Sequence, residues 1–166
     1  MLSNQEIVEE LAAHFGDKVL GFEEPHGLLT FTTYPDTIIP LLQFIKESDR
    51  LRFKFLTDIT GVHYPDAQGK EFCAVYHVHS FENGIRIRIK VYLPKEDPSI
   101  PTAVSIHAGA NWMERETFDF YGIIFTGHPN LKRILNMDDM DYHPMRKEYP
   151  LEDATREDKI DALFGR

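Results

Sequence analysis

Cysteine is nearly missing from this 166-residue chain, which has only Cys73. One thiol excludes an intramolecular disulfide, a Cys-rich zinc site and an all-cysteine iron–sulfur cluster held by this chain alone. It also agrees with a reducing compartment. Long apolar runs are missing too. The longest stretch free of Asp, Glu, Lys and Arg spans 16 residues from Pro98 to Met113, and it contains two prolines, His107 and Gly109. That composition argues against a membrane span. The start, Met1–Glu6, is polar and acidic and does not read as a signal or transit peptide. Positive charge is in short supply: 18 Lys and Arg against 27 Asp and Glu leave a formal net charge of −9. Nucleic acid and anionic membrane surfaces are therefore poor partners. Repeats, low-complexity tracts and Gly/Ser linkers are absent as well, so nothing splits the chain.

What is present suits one globular domain. The chain is 42% hydrophobic and 12% aromatic, enough to build a core without disulfides or metal. Ser3 and Glu6 have capping-box spacing, Leu2 can staple onto Ile7, and Ile7, Leu11 and Phe15 share a face that Gly16 ends. Short strands are expected over Val19–Glu23 and Leu28–Thr33, with a turn at Pro25–Gly27. A second helix carries Ile38, Leu41, Leu42 and Ile45 on one face, with Pro40 tolerable only in its first turn. A strand is expected over Phe53–Thr60, then a hairpin from Phe72–Phe81 to Ile85–Leu93.

The Asn83-Gly84 pair fits a two-residue type I′ turn. That register makes partner numbers sum to 167. It sets Val78 against Ile89 and Tyr76 against Val91 on an apolar face, and His79 against Arg88 and His77 against Lys90 on the other. The fold class is α+β: a mainly antiparallel or mixed sheet, helices packed on one side, and an extended C-terminal tail. Residues 1–95 form the sheet-and-helix domain, and residues 96–135 continue it with a linker and a helix near Asn111–Tyr121. Residues 136–166 form a polar tail with a short helix expected over Thr155–Phe164. A tail with so few apolar residues is better suited to lie across a partner than to build its own core.

Catalytic and metal chemistry find little support. His77 and His79 share a strand face, but basic residues lie opposite and no further ligands accompany them. Arg86, Arg88 and Lys90 alternate with Ile85, Ile87 and Ile89, which reads as a solvated or partner-facing stripe with Asp58 as a nearby counter-charge. Asp138-Asp139-x-Asp141 lacks the glycine and distant glutamate of a calcium loop. Cys73 falls within a strand, facing Pro94 in the expected register, with no helix N-terminus to activate it. No serine lies in a nucleophile elbow, and no phosphate-binding glycine loop is present. No catalytic, cofactor-binding or metal residue is assigned.

One segment stands out. In Ala110–Gly122, Arg115 can pair with Asp119 at i, i+4. Glu114, Phe118 and Tyr121 line one face, and Trp112, Glu116 and Asp119 another. Aromatic and charged groups thus surround the whole helix, as suits a helix contacted on several sides. The run from Asn111 to Pro129, with Glu114-Arg115-Glu116, Asp119-Phe120-Tyr121 and His128, continues into Lys132-Arg133-Ile134-Leu135. A second block, His143 to Leu151, departs mildly from the pattern at Met145 and Glu148.

Together these blocks resemble the signature of the 30-kilodalton subunit family of proton-pumping NADH:quinone oxidoreductase, respiratory complex I. The resemblance implies a cofactor-free subunit of the hydrophilic arm, peripheral on the cytoplasmic side of the cell inner membrane. FMN and iron–sulfur clusters would belong to partner chains. Its neighbours would be the iron–sulfur subunits and the subunit that helps form the quinone site. Related subunits in membrane-bound hydrogenases and other-donor complexes keep the electron donor open. The implied subunit interface comprises Trp112, Glu114, Arg115, Glu116, Phe118, Asp119, Tyr121, His128, Arg133, Arg146, Lys147 and Tyr149. Arg115, Arg146 and Lys147 would meet partner carboxylates there, and the aromatics would fill partner pockets.

Overall fold

The computed structural model describes residues 2–149. Helix α1 (Asn4–Phe15) starts on the expected capping box: Ser3 N–H donates to Glu6 at 2.9 Å, and Glu6 N–H returns to Ser3 Oγ at 3.3 Å. Strands β1 (Val19–Glu23) and β2 (Leu29–Thr33) follow, joined through a 3₁₀ turn at Pro25–Gly27. Helix α2 (Ile38–Glu47) holds Pro40 in its first turn and buries Ile38, Leu41, Leu42 and Ile45. Strands β3 (Phe55–His63), β4 (Phe72–Ser80) and β5 (Ile85–Leu93) complete the sheet.

The sheet order is β1-β2-β5-β4-β3. All pairs are antiparallel except β2 with β5, which run parallel. Short strand β6 (Ser99–Pro101), helix α3 (Ala110–Tyr121) and short strand β7 (Ile124–Thr126) come next, with β6 and β7 paired in parallel. The architecture is α+β. Ile7 and Leu11 of α1, the apolar face of α2, and Tyr76, Val78, Ile87, Ile89 and Val91 of the sheet form one core. Each fully buried large aliphatic is worth about 1.5–3 kcal/mol. Among the described residues no helix is long and apolar enough to cross a membrane.

The hairpin register corrects the expectation. Ser80 pairs with Ile85, so partners sum to 165 rather than 167. Asn83 is the cause. Its Nδ2 donates to the carbonyls of Arg50 and Leu51 and to Ser80 Oγ at 2.9–3.1 Å, tying the loop to the chain before β3. The connection therefore takes four residues, Phe81–Gly84. A shift of two keeps every side chain on its face. Val78 now opposes Ile87, Tyr76 opposes Ile89, His77 opposes Arg88, His79 opposes Arg86, and Cys73 opposes Tyr92 rather than Pro94.

The described part of the expected tail, residues 136–149, runs as turns and bends without helix or strand. It lies against the chain's own α3, through bonds given below. The helix expected over Thr155–Phe164 and the end of the second block, Pro150 and Leu151, lie outside the described residues.

Candidate functional site

Helix α3 packs across β3, and its close fit there has a local cause. Tyr121 lies so near Gly61 of β3 that any Cβ at that position would overlap its ring. Thr117 Oγ1 adds a bond to the Ile59 carbonyl at 3.2 Å. The charged residues of the motif point into the protein. Glu114 and Asp119 are fully buried and Arg115 nearly so.

The two carboxylates sit in opposite surroundings. Glu114 accepts Ala103 N–H at 2.6 Å and the Thr102 hydroxyl, and His128 Nε2 lies 3.9 Å away. Burial pushes its carboxyl up to about 7, because these two donors only partly offset the lost hydration. The two nitrogens of His128 have opposite partners: Nδ1 accepts Asn130 N–H at 3.0 Å, and Nε2 donates to the Asn111 carbonyl at 3.1 Å.

Asp119 receives five donors. They are the backbone N–H groups of Ile134, Leu135 and Asn136 at 2.9–3.0 Å, Asn136 Nδ2 at 3.0 Å and Arg133 Nη1 at 2.7 Å. Burial alone would raise this carboxyl. The Asn136 and Leu135 N–H groups and the Arg133 guanidinium overcome that effect and hold it well below the usual carboxylate range.

The last turn of α3 is finished by chain that returns over it. A helix leaves its final carbonyls without internal partners. Here the Phe118 carbonyl accepts Gly122 N–H at 2.8 Å, and the Asp119 carbonyl accepts Arg133 Nη1 at 3.1 Å and His143 Nδ1 at 2.9 Å. The Phe120 carbonyl accepts Met145 N–H at 3.1 Å, and the Tyr121 carbonyl accepts Arg146 Nε at 2.8 Å. Gly122 sits at φ +75°, and a Cβ there would strike the Arg146 guanidinium and the His143 ring. Arg133 closes the returning segment on itself, with Nη2 donating to the carbonyls of Met140 and Tyr142 at 2.7 and 2.8 Å. Further along, Lys147 N–H donates to His63 Nδ1 at 2.9 Å, and Arg146 stacks over Phe72, which also stacks on His63. Residues 131–149 form a strap latched to the end of α3.

The expected Arg115–Asp119 pair does not form. Asp119 faces the returning strap and is taken by Arg133. Arg115 instead donates to the carbonyls of Lys132 and Arg133 at 3.2 and 3.0 Å and stacks under Trp112. Glu114, Arg115, Asp119 and His128 thus all have partners inside the chain. Phe118 packs edge-on to His143, and Arg133 and Arg146 are half-buried in the latch. Trp112, Glu116, Lys147 and Tyr149 are exposed, and the Tyr149 ring lies tilted against Tyr142 with centroids 4.8 Å apart. Gly61, His63, Phe72, Thr102 and Asn136 belong to the site without having been singled out. They sit on elements far from α3 in sequence or act through backbone groups.

Elsewhere, Cys73 is buried and burial raises its thiol to about 11, which suits an inert core residue. His77 Nε2 accepts Arg88 Nε at 2.9 Å, so that nitrogen is already occupied. Among the described residues no three His, Cys, Asp or Glu side chains converge as a ligand set.

The strap, the helix it latches and strands β3–β5 beneath them lie within the part of the chain that a known family matches. The family model described as "Respiratory-chain NADH dehydrogenase, 30 Kd subunit" matches residues 31–155. The chain belongs to that family. The corresponding NADH-quinone oxidoreductase subunit of Nocardioides sp. strain JS614 is 43% identical over 151 residues, covering 88% of this chain. This chain spans 60% of that relative's length. The corresponding subunit of Roseiflexus sp. strain RS-1 is 43% identical over 150 residues, with 90% of this chain and 86% of the relative covered. The structure of the trypsin-resistant fragment of Nqo5 has 33% identity and a TM-score of 0.65, covering 77% of this chain and 99% of the fragment. A chain of the membrane-bound sulfane sulfur reductase, an archaeal respiratory membrane complex, has 27% identity and a TM-score of 0.75. That match covers 89% of this chain and 85% of the other.

Proposed function

We propose that this member of the 30-kilodalton subunit family is a structural subunit of the hydrophilic arm of a proton-pumping NADH:quinone oxidoreductase, with no redox centre of its own. The carrying observation is the latch. The buried charged side chains inside it hold the strap in place, and the outward side is rich in apolar groups. Trp112, Leu135 and Met137 are 59%, 65% and 68% exposed, and Tyr142, Met145 and Tyr149 are exposed on the same segment. An exposed apolar surface of this kind suits a protein partner.

In this reading the expected interface divides into two roles. Trp112, Glu116, Lys147 and Tyr149 meet partner subunits, the quinone-site subunit and the iron–sulfur subunits among them. Glu114, Arg115, Asp119, His128, Arg133 and Arg146 are positioning residues that fix the strap from behind, with Phe118 and Tyr121 packing under it. FMN and iron–sulfur clusters reside in other chains, which carry electrons from NADH to quinone. The subunit sits on the cytoplasmic side of the cell inner membrane and is held there by its partners.

Mild detergent extraction of native membranes tests this reading. The chain is expected in a large assembly with NADH:quinone reductase activity, and Arg115→Ala or Asp119→Ala is expected to reduce its retention. Elution of the chain alone contradicts the reading. So does a variant that assembles fully yet abolishes quinone reduction, which would require a direct catalytic role. The likeness to the sulfane sulfur reductase chain supports a second reading, the homologous subunit of an other-donor complex. Assaying the assembly with NADH against alternative donors decides between them.

A further inference from the structure

The sheet has two faces, and among the described residues the helices cover one. On β5, Ile87, Ile89 and Val91 are buried toward the helices, whereas Arg86, Arg88 and Lys90 project from the opposite face. His77 and His79 of β4 and Asp58 of β3 join them there by register. The charges on this face are only partly matched, with Asp58 lying 3.7 Å from His77. Arg88 spends its Nε on His77, Lys90 pairs with Glu23 at 3.1 Å, and Arg86 has no ion pair among the described residues. Exposed aromatics bound the stripe. At the hairpin end Phe81, 66% exposed, lies 5.2 Å from Phe55 and 4.7 Å from His79. At the other end Tyr64 lies 6.2 Å from Tyr92, with Lys70 over the Tyr92 ring. Nine residues of β5 make this strip about 30 Å long.

We propose that this sheet face, which no helix among the described residues covers and which has Arg86, Arg88 and Lys90 at its centre and aromatics at its ends, is a docking surface for an acidic segment of a neighbouring polypeptide chain. The inference rests on the subunit reading above but concerns a different surface from the strap. Arginine beside exposed aromatics is the composition of protein-binding hot spots. A cationic stripe on a chain of net charge −9 is a local exception, and carboxylates are its complement. Nucleic acid fits poorly, because the remaining surface repels phosphates and no aromatic stands within the stripe itself.

Zero-length carbodiimide cross-linking of the intact membrane-extracted complex, read by peptide mass spectrometry, tests the proposal. Lys90 is the reporter. In the isolated chain it is expected to couple to Glu23. In the complex it is expected to couple to an Asp or Glu of another chain, at least about tenfold less in roughly 0.5 M salt. Arg86→Glu and Phe81→Ala alter exposed side chains. Each should cut the interchain product at least fivefold while leaving the isolated chain's thermal unfolding unchanged. If Lys90 couples only to Glu23 in the complex, the proposal is overturned. The same holds if it couples to a second copy of this chain or to residues 150–166. A chain that never enters the large assembly overturns the subunit reading itself, which is a separate outcome visible before any cross-link is read.

Discussion

Glu114 and Asp119 lie five residues apart on one helix, both fully buried, and their protonation is driven in opposite directions. At the Glu114 end only two donors face the carboxyl, so burial wins and it rises to about 7. At the Asp119 end five donors, one of them a guanidinium, overcome the same burial. The difference teaches that motif membership does not set a role; the number of donors aimed at a buried carboxylate does. The Asp119 end is a charged latch. The Glu114 end is a proton-sensitive plug between α3 and the segment that follows β6.

Removing the Asp119 charge should have the largest effect. Asp119→Ala removes the carboxylate shared by Arg133 Nη1, Asn136 Nδ2 and three backbone N–H groups of the strap, a loss of about 3–5 kcal/mol. The strap should detach while the sheet stays folded, which limited proteolysis would show as early cleavage after residue 130.

The pH profile comes second. A carboxyl raised above its ordinary value binds more protons folded than unfolded. Glu114 therefore contributes stability that is present below about pH 4.5 and is lost as pH rises through about 7, on the order of 3 kcal/mol at the alkaline limit. Glu114→Gln should flatten that slope in denaturant titrations between pH 5 and 8. Asp119 has the opposite sign: its stabilisation is present above the ordinary carboxylate range and fades only in stronger acid. A wild-type chain whose stability does not fall between pH 5 and 8 would break the contrast between the two carboxylates.

Gly122→Ala comes third, at about 2 kcal/mol. It combines a left-handed backbone with a collision against Arg146 and His143, and calorimetry should register it as a loss confined to the latch. Ser3→Ala is the smallest, about 1 kcal/mol. It removes the α1 cap, which shares no partner with the latch, so its effect should add to that of Asp119→Ala rather than couple with it.

Local periodicity made the helices legible, with Ile7 and Leu11 marking α1 and Ile38, Leu41, Leu42 and Ile45 marking α2. The alternating isoleucines of β5 gave its faces correctly even though the register was off by two. Asn83 explains that error, because its bonds to Arg50 and Leu51 depend on chain remote in sequence. The parallel pairings of β2 with β5 and of β6 with β7 left no local trace for the same reason. In the site, helical spacing singled out Arg115 and Asp119 and the family resemblance added Arg133, but neither gave their partners. The i, i+4 rule pointed Arg115 at Asp119, whereas tertiary return of the strap supplied backbone carbonyls to one and a guanidinium to the other. His63 and Gly61 carry no local signal at all, since each matters only because Lys147 and Tyr121 arrive beside it.

Native-state hydrogen exchange of Asp119→Ala tests the central claim, that a buried charge on α3 holds the strap. The amides of Ile134, Leu135, Asn136 and Met145 should lose protection by at least a hundredfold, while those of Val78, Ile87 and Ile89 exchange as in the wild type. If strap and sheet amides instead lose protection together, or if the strap amides stay protected, the strap is not latched by Asp119 and the account fails.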